Sequence, residues 1–233
     1  MNDFPMRINK YLAHKGWSTR RGADELILKK KVLINGVVAQ LGDKILRDDK
    51  VEVLGGTKTV KSDYFAFYKG PDESANEVES QLSAFVKKTG LFVANQLDKD
   101  SEGLVIVTND GRLTDKLLHG DYEREYIVET TQAYKPTAIN KIAEGIYIDK
   151  DKTKPAKVEL MDDRVFKITL REENHNQIRR MLSNFDIVAK KIRRSRIANI
   201  RAGKMVPGNV YPIQDRELQT FLHEVGVRQP QDK

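Results

Sequence analysis

Asp98, Asp100 and Glu102 put three carboxylates close together inside the stretch Asn95 to Asp110, NQLDKDSEGLVIVTND. Clustered carboxylates are what a phosphoryl-transfer enzyme needs to hold metal ions, but residues of a loop alternate in direction, so these three need not converge. Asp98 is better placed for chemistry of its own. It follows the apolar run Leu91-Phe92-Val93-Ala94 and precedes Leu104-Val105-Ile106-Val107, which ends in the turn signal Asn109-Asp110-Gly111. A short polar loop held at both ends by buried strands fixes a carboxylate with little freedom, although an Asp after a strand is more often a turn former or helix cap. A second candidate group is cationic: Arg179 and Arg180 lie in NHNQIRRM, where Ile178, Leu182 and Phe185 form the buried stripe of a helix. Adjacent arginines on a helix ordinarily face solvent.

The elements that would position these groups are strands and helices in irregular alternation. Tyr64 to Tyr68 reads as a strand, and Glu79 to Gly90 as a helix with Leu82, Phe85 and Val86 inward. Gly111 to Leu118 is a further helix, followed by the strand Glu125-Tyr126-Ile127-Val128. A helix around Ile139 to Ala143, strands near Ile146 to Ile148 and Val158 to Leu160, and the alternating strand Phe166 to Leu170 come next. Asp215 is placed to cap a last helix. Tight turns at Asp162-Asp163 and Asn109 to Gly111 favour an antiparallel or mixed sheet with helices packed on it, an α+β fold.

The N-terminal part is different in kind. Ile8, Tyr11 and Leu12 share a helical face ended by Gly16, Ser18 can cap a second helix, and Asn35-Gly36 between Val32 to Ile34 and Val37-Val38 signals a two-residue hairpin. Arg20, Arg21, Lys29, Lys30 and Lys31 surround the helix pair with positive charge, and Lys190, Lys191, Arg193, Arg194, Arg196 and Arg201 form the densest basic stretch of the chain. Strand alternation predicts several of the latter on one side, open to phosphates. The expected division is a small basic module over 1–57, whose charge alone more often marks a solvated face, a linker over 58–62, a second domain over 63–226 and a disordered tail over 227–233.

Forty-one Lys and Arg against 34 Asp and Glu give the 233 residues a net charge of +7, which favours a polyanionic partner. The absence of Cys excludes disulfide scaffolds, thiolate zinc sites and Cys nucleophiles. There is no GxGxxG or P-loop pattern and no HExxH among the four His. No apolar run is long enough to cross a membrane and the first residues lack the apolar core of a signal peptide, so the protein is expected in the cytoplasm, acting as a monomer.

Two resemblances sharpen this reading. Arg7-Ile8-Asn9-Lys10-Tyr11-Leu12, Ser18-Thr19-Arg20-Arg21 and Val32-Leu33-Ile34-Asn35-Gly36 resemble the small RNA-binding module named after the fourth protein of the small ribosomal subunit. LDKDSEGL with its following strand and TNDG, together with Gln177-Ile178-Arg179-Arg180-Met181, resembles the bacterial ribosomal-RNA pseudouridine synthases, especially the large-subunit type. The resemblance implies that a uridine in RNA, ribosomal or transfer, is flipped out, cleaved at its N-glycosidic bond and rejoined through C5, without cofactor or metal. It makes Asp98 the indispensable residue, acting as nucleophile toward sugar or base or as a base at the ribose. Tyr126 would pack on the uracil and assist proton removal from C5, and Arg179 would stand against the Asp98 carboxylate. RNA contacts fall to Arg7, Lys10, Arg20, Arg21, Lys29, Lys30, Lys31, Gln96, Arg180, Lys190, Lys191, Arg193 and Arg194. The chain departs from the pattern at Lys69-Gly70-Pro71, at Asn95-Gln96 where Gly-Arg is usual, and at Glu173-Asn174-His175-Asn176 where Gly-Arg-Asn-His/Arg is usual. A protein that keeps the fold and binds RNA without catalysis is the alternative.

Overall fold

A computed structural model describes residues 4–55, 62–86 and 90–227, apart from the side chains of Arg21, Ser83, Phe85 and Asp115. All of the expected linker except Ser62, the tail from 228 onward, and the side chains expected of Arg21 and Phe85 therefore lie outside the described residues.

The N-terminal unit runs β1 (Met6–Arg7), α1 (Ile8–His14), α2 (Arg20–Leu28), β2 (Val32–Ile34), β3 (Val37–Val38), β4 (Lys44–Ile45) and β5 (Val51–Val53). Its core is its own: Met6, Ile8, Leu12, Ala23, Ile27, Val32 and Ile45 meet one another. Leu33 opposite Val38 and Ile34 opposite Val37 confirm the two-residue hairpin, and Asn35 (φ 51°) and Gly36 (φ 81°) take the positive φ that such a turn requires. The helix cap is one residue later than expected, because Thr19 rather than Ser18 accepts the Gly22 amide at 3.0 Å.

The second unit contains β6 (Tyr64–Lys69), α3 (Ala75–Val86), β7 (Phe92–Val93), β8 (Glu102–Thr108), α4 (Gly111–His119), β9 (Arg124–Thr130), α5 (Pro136–Ala143), β10 (Tyr147–Ile148) and β11 (Asp151–Lys152). It continues with β12 (Lys157–Leu160), β13 (Val165–Leu170), α6 (Gln177–Ser183), β14 (Ala189–Ile197), β15 (Ile200–Arg201), β16 (Val210–Pro212) and α7 (Asp215–Glu224). Its large sheet runs β12-β13-β9-β14-β8-β6-β16, with β7 on β8 and β15 on β14. Only β14 and β8 pair in parallel among the described strands, so the sheet is mixed and the fold is α+β, as the turns predicted.

Burial differs between the two halves of this sheet for a reason visible in the residues. Every position of β6 and β8 is buried, because Tyr64, Ala66, Leu104 and Ile106 pack with α4 and α7 on one face while Phe65, Phe67, Val105 and Val107 pack with α3 on the other. In β9 and β13 buried and half-buried positions alternate, and one face only is covered by α5 and α6. Helix α3 begins earlier than its predicted span, since Ser74 and Glu77 cap each other ahead of Ala75. Gln214, not Asp215, precedes the last helix, and no side chain caps it. Val227, expected in the tail, is 5% exposed within the core that α7 completes.

The parallel junction has a steric requirement. Gly103 at φ 117° lies opposite Arg194, and a Cβ built on it would fall 2.3 Å from the Arg194 carbonyl oxygen. Only glycine allows β8 and β14 to approach this closely. Gly103→Ala is expected to destabilise the second unit by at least about 2 kcal/mol in denaturant unfolding; stability equal to the parent would show that the junction can relax.

Candidate active site

The parallel junction of β8 and β14 lies under a cleft of ≈ 610 Å³, within the usual size for a small-molecule pocket. Leu97, Leu170, Ile178 and Ile192 line it with apolar surface, and Tyr126, Asp98, Glu173 and His175 bring the polar groups. Asp98 and Tyr126, widely separated in sequence, are thus brought to one cavity.

Asp98 sits on the loop between β7 and β8, as predicted, with its carboxylate 24% exposed. Its Oδ1 accepts the Asn176 amide at 3.3 Å and lies 3.2 Å from Nδ1 of His175. The loop beneath it is fastened by Lys69, whose ammonium is almost fully buried and donates to the carbonyls of Gly70 (3.0 Å), Lys99 (2.9 Å) and Ser101 (2.6 Å). Burial pulls the Lys69 pKa down from the usual lysine value, while Glu73 and Asp100 work against that shift. Three carbonyl acceptors on one ammonium make a strong local clamp. In the sequence Lys69 marks only the Lys69-Gly70-Pro71 departure, because a lysine at a strand end ordinarily faces solvent.

Arg179 is not where the resemblance put it. Its Nη2 pairs with Asp100 at 2.9 Å and its Nη1 donates to the Ala189 carbonyl at 2.9 Å, so it holds the loop two residues beyond Asp98 instead of facing Asp98. The groups against Asp98 are the Asn176 amide and His175, because the loop 172–176 rather than α6 itself reaches the carboxylate. Arg180 pairs with Asp149 near the surface. Gln177 explains its place in the motif differently: its side chain accepts from the Asn174 amide at 3.0 Å and donates to Glu172 at 2.8 Å, bracing the same loop.

The three carboxylates of the opening stretch diverge. Asp100 goes to Arg179, while Glu102 accepts from the Tyr68 hydroxyl at 2.9 Å and meets Lys191 at 3.0 Å. Burial, then the hydrogen bond to Glu102, push the Tyr68 hydroxyl up to about 12. Among the described residues no group of three or more His, Asp or Glu could hold a metal ion.

Arg194 overturns a larger expectation. Its side chain is 0% exposed and engaged with the protein, so it is not open to phosphates here. It donates through Nε to Leu104 O (2.7 Å), through Nη2 to Asn95 O (3.1 Å), and through Nη1 to Gln96 O (3.4 Å) and Glu173 (2.7 Å). Arg124, also 0% exposed, places Nε 3.1 Å from the other Glu173 oxygen, donates to Leu117 O at 2.6 Å and lies over the Tyr122 ring at 3.8 Å. Tyr126, opposite Arg194 in the ladder and 5% exposed, has its hydroxyl 3.5 Å from Glu173. Glu173 stood out in the sequence only as a departure from the family pattern and Arg124 not at all, since no local pattern marks two arginines from different strands as partners of one carboxylate.

The remaining cations of β14 are mostly paired rather than ranged free on one side. Lys190 meets Glu129 at 2.6 Å and Lys191 meets Glu102, because β9 and β8 present acids across the ladder, and Arg196 meets Glu123, just before β9, at 2.9 Å and Glu125 of β9 at 3.6 Å. Lys190 and Lys191 remain exposed and Arg193 half-buried. In the N-terminal unit Arg7, Arg20, Lys29, Lys30 and Lys31 are exposed and Lys10 half-buried, with Lys29 3.8 Å from Glu25. Gln96 is exposed at the cleft.

Replacing Lys69 by Met leaves the carbonyls of Lys99 and Ser101 without their donor. Hydrogen exchange at 98–101 is expected to accelerate and turnover to drop roughly tenfold, in a protein that still folds. Protection identical to the parent would remove the clamp.

Residues 49–184 match the family described as RNA pseudouridylate synthase, and residues 6–51 match the S4 domain. Dual-specificity RNA pseudouridine synthase RluF of Escherichia coli K12 is 32% identical, over 93% of this chain and 78% of that one. Ribosomal large subunit pseudouridine synthase B of Bacillus subtilis 168 is 29% identical, over 91% of this chain and 94% of that one. A crystal structure of a pseudouridylate synthase superposes with a TM-score of 0.66 at 24% identity, covering 94% of this chain and 99% of that one, which shows a shared fold. A match across more than half the chain and a relative above 30% identity, both joined to this sheet and cleft, establish that the chain belongs to the RNA pseudouridylate synthase family, with an S4 domain at its N-terminal end.

Proposed function

We propose that this cleft isomerises a uridine of large-subunit ribosomal RNA in the cytoplasm, with Asp98 as the carboxylate that starts the bond exchange and Tyr126 as the ring against which the uracil lies. The observation that carries the reading is the meeting of Asp98 and the buried Tyr126 ring in one cleft walled by Leu97, Leu170, Ile178 and Ile192. A cavity walled by apolar side chains and the Tyr126 ring suits a flipped base, whose ring leaves the stack and regains contact inside the protein. The reaction breaks N1–C1′, turns the uracil and forms C5–C1′; the proton leaving C5 is matched by one arriving at N1. Burial pushes the Tyr126 hydroxyl well above the usual phenol value, with Glu173 adding to the shift, so the ring works as a neutral surface near pH 7.

The route of the RNA is supported by how the two units meet. A Cβ on Gly111, at the start of α4, would lie 3.6 Å from the Ala13 side chain of α1, and α4 lines the cleft with Thr114, Leu117 and Leu118. Cations on α1 and α2 therefore hold phosphates beside the helix that walls the active site. Arg179 serves by fixing the loop through Asp100. The single chain brings both units and works as a monomer.

Mapping pseudouridine in ribosomal and transfer RNA from cells with and without this protein tests the substrate: a site lost from large-subunit RNA supports the reading, and loss confined to transfer RNA reassigns it. Asp98→Asn is expected to abolish product while RNA affinity stays within about threefold. Retained turnover would take Asp98 out of the chemistry. Arg179→Leu should lower turnover more than Arg180→Leu, because only the first unties the Asp98 loop; equal effects would make both surface residues. Changing Arg20, Lys29, Lys30 and Lys31 together to Ala is expected to weaken binding and to flatten the salt dependence by roughly 0.7–0.9 for each phosphate no longer neutralised. An unaltered slope would place the phosphates elsewhere.

A further inference from the structure

Glu173 is the one carboxylate of the cleft that is bound to two buried cations. Its oxygens reach Arg194 at 2.7 Å and Arg124 at 3.1 Å, both guanidinium groups being fully buried, and its own side chain is 19% exposed on the cleft side. Arg194 and Tyr126 are direct ladder partners of β14 and β9, so the Tyr126 hydroxyl comes to rest over the Arg194–Glu173 pair, 3.5 Å from Oε1. On its other flank Tyr126 pairs with Ile168 of β13, which offers no polar group. The charged groups acting most on the Tyr126 hydroxyl are Glu173, Arg194 and Arg124, with Tyr122 behind Arg124, and Asp98, Glu172 and His175 line the same cleft.

Two buried cations with no counter-charge would dominate the potential at the cleft floor, where solvent screens little. Such a floor would draw an anion, a phosphate above all, rather than a neutral base. The carboxylate between them reverses that preference. It also supplies the acceptor toward which the phenol is turned, and so sets the direction of a ring that the proposed reaction uses as a surface.

We propose that Glu173 is a positioning residue for the isomerisation, acting through Tyr126: it orients the hydroxyl end of the ring and offsets the charge of Arg124 and Arg194 so that the cleft accepts a neutral uracil. This rests on the reading that Tyr126 faces the uracil. The effect belongs to the bound complex, since phosphate contacts lie elsewhere, so it acts on kcat more than on KM. It also sets the alkaline limb. With Glu173 neutralised, Arg194 and Arg124 act on the phenol unopposed, and it ionises at lower pH.

The test compares the parent with Glu173→Gln and Glu173→Asp in the full chain, using ribosomal RNA transcripts that carry the target uridine and reading kcat and KM from neutral to alkaline pH. For Glu173→Gln, kcat is expected to fall roughly ten- to a hundredfold while KM stays within about threefold. Its alkaline decline should begin at lower pH than the parent's, and Glu173→Asp should fall between. An alkaline limb that superposes on the parent's, or a loss confined to KM, overturns the proposal. If Glu173→Gln does not fold, Glu173→Asp carries the test alone: a kcat loss with an alkaline decline at lower pH than the parent's supports the proposal, and a limb that superposes on the parent's or a loss confined to KM overturns it. A parent inactive on every ribosomal and transfer RNA tried would overturn the proposed function together with this inference, whereas an active parent matched by Glu173→Gln overturns this inference alone.

Discussion

Arg194 donates to Leu104, Asn95, Gln96 and Glu173 from a position with no access to solvent, and most of the site follows from that one guanidinium. It joins β14 to the carbonyls of the loop that leads to Asp98 and to the loop that reaches Asp98 from α6. Burial opposes its charge, yet the nearby Glu173 raises its pKa above the ordinary arginine value. A buried charge is tolerated only with this degree of satisfaction, and removing one member leaves the others unpaired. Planar donors in a fixed fork also explain why an arginine is better suited here than a lysine.

The loop carrying Asp98 is thus fixed from several directions. Lys69 holds its far side, Arg179 holds Asp100, Arg194 holds Asn95 and Gln96, and the Asn95 side chain accepts the Ile106 amide at 2.8 Å. What remains free is the Asp98 carboxylate itself, with one amide and one exposed imidazole near it. Rigid support around a lightly held reactive group is the arrangement that keeps a nucleophile or base in position without consuming it.

Two of the three departures from the family pattern, at Asn95-Gln96 and at Glu173, meet in space, since Arg194 contacts all three of these residues. Asn95 contributes a side-chain acceptor to β8, and Glu173 contributes the counter-charge for the floor. These positions therefore brace the cleft, while Asp98, Tyr126 and the QIRRM helix occupy one neighbourhood.

Much was legible before any coordinates. The Asn35-Gly36 hairpin and the strand pair around the Asp98 loop are set by local rules of turn chemistry and periodicity and fall where the residues put them, while the helix that buries Ile178 and Leu182 stops at Ser183 and leaves Phe185 beyond its end, half-buried. The motifs LDKDSEGL and QIRRM carried the family. What the sequence could not decide was partnership across the sheet. Whether Arg179 faces Asp98 or Asp100, and whether Arg194 meets a phosphate or Glu173, depends on strand order and register: β14 beside β9 and β8 turns Arg194 inward and pairs Lys190, Lys191 and Arg196 with acids. Charge is written residue by residue in the chain, but burial and counter-charge are properties of neighbours brought together from distant segments, and only the tertiary structure supplies them.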